Sequence, residues 1–168
     1  MDFQSLDFQS LDFQSLKCVP LTKHIGNKII LPVSILDTLL KLEIDYPMTF
    51  EIVTNEKNTH CGVLEFTAQE GTCCIPEWIM KNLNINEGDW VYIRNVPLQK
   101  ASFIKFKSSF ELNDATLEYI LTLFSCVTNG DKIYFEYNSK ECILEVLDVK
   151  PKKACCIIET NIDIDIEY

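Results

Sequence analysis

The stretch Lys28-Ile-Ile-Leu-Pro32-Val-Ser-Ile-Leu-Asp-Thr-Leu39 returns in pattern 44 residues later as Thr72-Cys-Cys-Ile-Pro76-Glu-Trp-Ile-Met-Lys-Asn-Leu83. Each copy opens with a short apolar run, reaches a proline and continues with apolar residues at helical spacing. Proline suits the first helical position, because an N–H there would have no partner within the helix. Each copy therefore predicts a strand followed by a short helix. After a three-residue gap the match resumes, with Leu42-Glu-Ile44-Asp-Tyr-Pro47-Met-Thr-Phe50 against Leu83-Asn-Ile85-Asn-Glu-Gly88-Asp-Trp-Val91. Both segments run from a helix end through a polar turn into a strand. Two such units predict a pseudo-twofold fold. Further strands are expected at Leu16–Val19, Thr49–Thr54, Cys61–Thr67 and Ser102–Lys107, so residues 17–108 read as a β-barrel subdomain.

The pattern changes after Lys107. Asn113 or Asp114 can cap a helix whose apolar positions Leu117, Ile120, Leu121, Phe124 and Val127 fall at helical spacing, with Asn129-Gly130 as its end. Strands at Lys132–Tyr137, Glu141–Val149 and Ala154–Glu159 follow, which makes residues 109–168 a small α+β subdomain. The first sixteen residues instead repeat DFQSL three times. A five-residue period matches neither helix nor strand, so residues 1–16 are expected to be a disordered low-complexity extension, its last copy leading into the first strand.

The formal charge of −10 is mostly an end effect, since Asp2, Asp7, Asp12, Glu159, Asp163, Asp165 and Glu167 lie in two ends without a base. The acidic C-terminal end is expected to be solvated. An acidic chain without a Lys/Arg stripe is not expected to bind nucleic acid. No apolar run approaches the roughly 18–20 residues that a membrane span needs, and no basic, apolar leader opens the chain, so an intracellular protein without membrane insertion is expected. The eight cysteines form no C-x-x-C and have only His24 and His60 beside them, which argues against zinc. They read as buried, reduced core residues.

Phosphate-binding, dinucleotide-binding and metalloprotease motifs are missing, as is G-x-S-x-G. A Cys61–His60 nucleophile pair fails on geometry, because neighbours on a strand face opposite ways. No catalytic residues, metal or cofactor are therefore expected.

Particular segments carry a resemblance. They are Lys28-Ile-Ile-Leu-Pro32 with Ser34, Leu36 and Asp37; Tyr46-Pro-Met48; the unbroken run Thr59-His-Cys-Gly-Val-Leu-Glu-Phe66; Glu70-Gly71; and Pro76 with Trp78, Met80, Asn82 and Leu83. In the second subdomain they are Phe124, Cys126, Gly130-Asp131, Tyr137-Asn138, Lys150-Pro151 and Ile157-Ile-Glu159. On these, residues 17–168 resemble the N-terminal domain of the ubiquitin fusion degradation protein family. The resemblance implies a double-psi β-barrel followed by an α+β subdomain, and binding of ubiquitin and polyubiquitin chains. It also implies delivery of ubiquitylated proteins to the valosin-containing AAA ATPase for extraction and proteasomal degradation. The location it implies is cytoplasmic, extending to the nucleus and the cytosolic face of the ER. In that family the ATPase and the second adaptor subunit are bound by a C-terminal region that is absent from this sequence. The DFQSL triplication departs from the family pattern.

Ubiquitin presents a modest apolar patch with a basic rim, so its receptor should offer exposed apolar side chains near acids. Tyr46 and Met48, in a turn, and Thr59 and His60, at a strand start, are the expected contact surface. A groove between the subdomains near Leu98, Phe103 and Phe106 is a second candidate. Other readings of the same fold are a nucleic-acid factor, a self-cleaving enzyme, disfavoured because no Gly-Ser bond occurs, and an interaction module that binds other adaptors instead of ubiquitin.

Overall fold

The computed structural model describes residues 13–44 and 46–168. The first repeat unit forms β2 (Lys28–Pro32), α1 (Val33–Lys41) and β3 (Thr49–Val53); the second forms β5 (Thr72–Pro76), α2 (Glu77–Leu83) and β6 (Trp90–Asn95). With β1 (Gln14–Leu21) and β4 (Asn58–Ala68), these strands close a six-stranded barrel in the order β1-β5-β2-β4-β3-β6. The pseudo-twofold axis can be placed by residue. Ile30 pairs with Cys74, its equivalent at an offset of 44, and Ile52 pairs with Ile93, its equivalent after the three-residue gap. Each parallel pair, β1 with β5 and β2 with β4, is the image of the other. The strands turn Ile29, Phe50, Ile52, Ile75 and Ile93 fully inward.

Both prolines sit one residue earlier than expected. Pro32 and Pro76 are the N-cap residues, still extended, and neither can offer a capping side chain. In α1, Glu70 does this instead, accepting from the Ser34 N–H at 3.2 Å and from its hydroxyl at 2.6 Å. The barrel also takes in more of the last DFQSL copy than expected, because β1 begins at Gln14 and pairs Gln14 with Ile93. The first two copies lie outside the described residues.

β7 (Phe103–Ser108), expected to close the barrel subdomain, belongs to the next sheet. It sits between β10 (Lys140–Lys150) and β12 (Asp163–Glu167), and β9 (Lys132–Tyr137) completes the order β12-β7-β10-β9. The sheet boundary thus falls between Asn95 and Phe103 instead of after residue 108. The helix α3 (Asp114–Thr122), capped by Asn113 Oδ1 from the Thr116 N–H at 2.8 Å, ends before Phe124. Val127 is in β8 (Cys126–Thr128), paired with β11 (Ala154–Cys156). Phe124 is drawn away by Trp78 of the barrel, 5.9 Å between ring centroids. The acidic end is not simply solvated either. In β12, Asp163, Asp165 and Glu167 are exposed while Ile164 and Ile166 are half-buried against the core.

The two subdomains share one hydrophobic core and a polar junction. Asn27, buried at the barrel end, donates from Nδ2 to the Cys126 carbonyl (2.7 Å) and accepts the Ser125 N–H at Oδ1 (2.9 Å). Asn82 does the same for one residue of β9, donating to the Lys132 carbonyl (2.6 Å) and accepting its N–H (2.7 Å). Within the barrel, Trp78 donates from Nε1 to the Gly26 carbonyl at 2.7 Å. Gly62 is required by close approach, since a Cβ there would lie 2.0 Å from Ser125 Oγ. All eight cysteines are free; seven are buried and Cys74 is half-buried. Burial pushes the thiols of Cys61, Cys73 and Cys126 up, which keeps them protonated.

Candidate functional site

The expected contact residues part company in the fold. Tyr46 is 79 % exposed, whereas Met48 is half-buried against the core. Thr59 is 1 % exposed and its hydroxyl donates to Asp131 Oδ2 at 2.5 Å, so it cannot be a surface contact. His60 is also turned into the junction: Nδ1 lies 3.1 Å from Thr128 Oγ1, and Nε2 is 3.5 Å from Glu51. That hydrogen bond, with help from Arg94, holds the Glu51 carboxyl below the usual range against its partial burial. Asp131 moves the other way. Burial raises its pKa to about 6, although the Thr59 hydroxyl and His60 oppose the shift. Thr59 and His60 therefore fasten the subdomains together. The groove expected near Leu98, Phe103 and Phe106 also needs correcting, because Phe106 is fully buried and Leu98 and Phe103 are half-buried. His60 and Cys61 face opposite ways, as strand geometry requires.

Tyr46 instead overhangs a cleft of about 1000 Å³ between the barrel and the second subdomain. Its apolar wall comes from Leu121 of α3, Phe124, and Ile157, Ile158, Ile162 and Ile164 around the β11–β12 connection. Leu121, Ile158, Ile162 and Ile164 remain partly accessible. Glu118, Glu159 and Asp163, all exposed, stand on the rim with one base, Lys28. The isoleucines reach the cleft because β12 pairs with the edge of β7 in parallel, setting Ile164 opposite Ile104 and Ile166 opposite Phe106. This arrangement suits an apolar surface bordered by bases; it holds no nucleophile with an activating base. Among the described residues no group of three or more His, Cys, Asp or Glu is placed to hold a metal ion, and no helix is long and apolar enough to cross a membrane.

Of the residues expected from sequence, only Tyr46 lines this cleft. Leu121, Ile158, Ile162 and Ile164 were missed as site residues. The alternation of isoleucine with acid over 162–167 is a half-buried strand signal that the charge of the same segment obscured.

Two family models cover the chain. That of the ubiquitin fusion degradation protein UFD1, N-terminal subdomain 1, matches residues 7–99, and that of N-terminal subdomain 2 matches residues 100–168. The boundary between them agrees with the sheet boundary observed here. Among curated proteins, the human ubiquitin recognition factor in ER-associated degradation protein 1 is 44 % identical over 150 residues, 84 % of this chain and 49 % of that protein. The ubiquitin fusion degradation protein 1 homolog of Dictyostelium discoideum is 41 % identical over 158 residues, 88 % of this chain and 48 % of its own. Ubiquitin fusion degradation protein 1 of Saccharomyces cerevisiae is 38 % identical over 153 residues, 84 % and 42 %. The chain thus spans about half the length of the curated relatives it matches. The duplicated barrel, the fused α+β sheet and the match over both subdomains place this chain in the ubiquitin fusion degradation protein family.

Proposed function

We propose that this chain is a non-catalytic ubiquitin- and polyubiquitin-binding adaptor domain. It recruits ubiquitylated proteins to a AAA ATPase for extraction and proteasomal degradation, acting in the cytoplasm and at the cytosolic face of the ER. Its membership of a family whose curated relatives are named for ubiquitin recognition carries the reading. The acid-rimmed cleft supports it. The wall of Leu121, Ile158, Ile162 and Ile164 would take ubiquitin's apolar patch, and Glu118, Glu159 and Asp163 would meet its basic rim. The ATPase and the second adaptor subunit would be engaged through parts of the longer relatives that this chain does not match.

The test is charge reversal at the exposed rim. Glu118→Lys combined with Glu159→Lys should weaken monoubiquitin binding by about tenfold or more, as rim charges mainly govern encounter and rejection of wrong partners. The unfolding midpoint should stay unchanged, because both side chains are exposed. Unaltered ubiquitin affinity in the double variant would place the contact elsewhere.

A further inference from the structure

We propose that the open edge of β9 is a docking site for an extended peptide segment of a partner protein, one carrying a basic side chain two residues from an apolar one. The hairpin between β9 and β10 fixes which backbone groups are free. Its two loop residues, Asn138 and Ser139, both have positive φ (52° and 62°), a two-residue turn of the kind that matches strand twist. Tyr137 and Lys140 close that turn as a pair exchanging both backbone hydrogen bonds. Alternation then makes Phe135–Cys142 and Ile133–Leu144 the next such pairs, so Lys132, Tyr134 and Glu136 point their N–H and C=O groups away from β10. The other strand agrees: Val146, in phase with Leu144, bonds to the Asp131 carbonyl on the same side.

Asn82 already occupies the first outward rung. Its amide gives to the Lys132 carbonyl and takes from the Lys132 N–H, as a residue of an added strand would. The next two rungs, Tyr134 and Glu136, have no backbone partner among the described residues and open into a cleft of about 780 Å³ walled by Trp78, Lys81 and Ile25. An unpaired strand edge facing a cleft is the geometry into which extended peptides add.

The side chains supply the second half of the argument. Glu136 and Glu141 stand directly opposite each other on one face of the hairpin, and neither has an ion-pair partner among the described residues. Like charges so placed repel. An arginine or lysine on an added strand beside Glu136 would relieve this, and an apolar side chain two residues away would lie beside Tyr134. The site shares no lining residue with the acid-rimmed cleft and does not depend on ubiquitin binding.

The probe is the capped nonapeptide Gly-Ser-Val-Thr-Arg-Thr-Val-Ser-Gly, with two isomers N-methylated either on the Arg and second Val amides or on the two Thr amides. Added to the full chain, the parent peptide should shift and protect the Tyr134 and Glu136 amides. One isomer should lose about tenfold or more in affinity while the other stays within about threefold, since only alternate amides face β9. Glu136→Lys, an exposed change, should weaken the parent peptide and leave the unfolding midpoint in place. No binding at millimolar peptide, equal affinity of the two isomers, or shifts confined to the acid-rimmed cleft would overturn the proposal. So would concentration-dependent shifts of the same two amides without peptide, which would assign the edge to a second copy of the chain.

Discussion

Among the described residues the barrel leaves no strand unpaired, whereas the four-stranded sheet of the second subdomain ends in two edge strands, β9 and β12. The barrel's symmetry explains its self-sufficiency, because each repeat unit supplies the complement of the other across Ile30–Cys74 and Ile52–Ile93. The second subdomain has no such partner within itself. Its β8 and β11 are three residues each, and it leans on the barrel through Asn27, Gly62, Asn82 and the packing of Trp78 on Phe124. A closed barrel can act as scaffold; an open sheet held against it provides clefts at its two edges. The acid-rimmed cleft lies by β12, and the peptide edge is β9.

That contrast can be broken at the junction. Asn27→Ala would strand a buried N–H on Ser125 and a buried C=O on Cys126, and should cost about 2–4 kcal/mol. Amide exchange should speed up most at Cys126–Thr128 and least at Ile52 and Ile93; uniform loss of protection would show that the halves unfold as one unit. Gly62→Ala should cost about 2–3 kcal/mol in chemical denaturation, because the new methyl meets Ser125 Oγ where both backbones are fixed. A variant as stable as the parent would mean that β4 and β8 can slide apart freely.

Asp131→Asn probes the junction between the two subdomains through pH. The carboxyl's folded pKa, about 6, stands above the ordinary aspartate value of 3.8, so its stabilising contribution is full below about 3.8 and lost as pH rises through 6. The asparagine keeps an acceptor for the Thr59 hydroxyl without the ionisation. It should match the parent near pH 4 and exceed it by ~1–3 kcal/mol above pH 6. Glu51 has the opposite sign: lowered by His60, it stabilises above the ordinary glutamate value of 4.5, and that contribution is lost as pH falls through its lower folded value. A stability difference independent of pH would refute the assignment to Asp131. The smallest effect belongs to Asn82→Ala, about 1 kcal/mol, because its bonds to Lys132 are exposed and water can replace them. Binding of the nonapeptide should still be measurable in that variant, since Tyr134 and Glu136 retain their free rungs.

The same contrast governs what could be read in advance. The barrel was legible because its long-range pairing is written as repetition: an offset in sequence became a pair across an axis. The second subdomain has no repetition. Phe124 and Val127 fit a helical period, yet one packs on Trp78 and the other pairs in β8 opposite Cys155, and periodicity contains neither partner. Thr59 and His60 looked like surface residues at a strand start. Their partners, Asp131 and Thr128, lie 72 and 68 residues further along. In the segment from Ile162 to Glu167 the strand alternation was present, but only the free edge of β7 gives it somewhere to pair.

Ubiquitin docking at the acid-rimmed cleft can be read residue by residue in an amide-resolved NMR titration of the chain with monoubiquitin and then tetraubiquitin. Shifts should cluster on Tyr46, Leu121, Ile158, Ile162 and Ile164, with tighter binding of the longer chain through multivalency. An absence of shifts at millimolar ubiquitin, or shifts that leave this cleft untouched, would contradict the account.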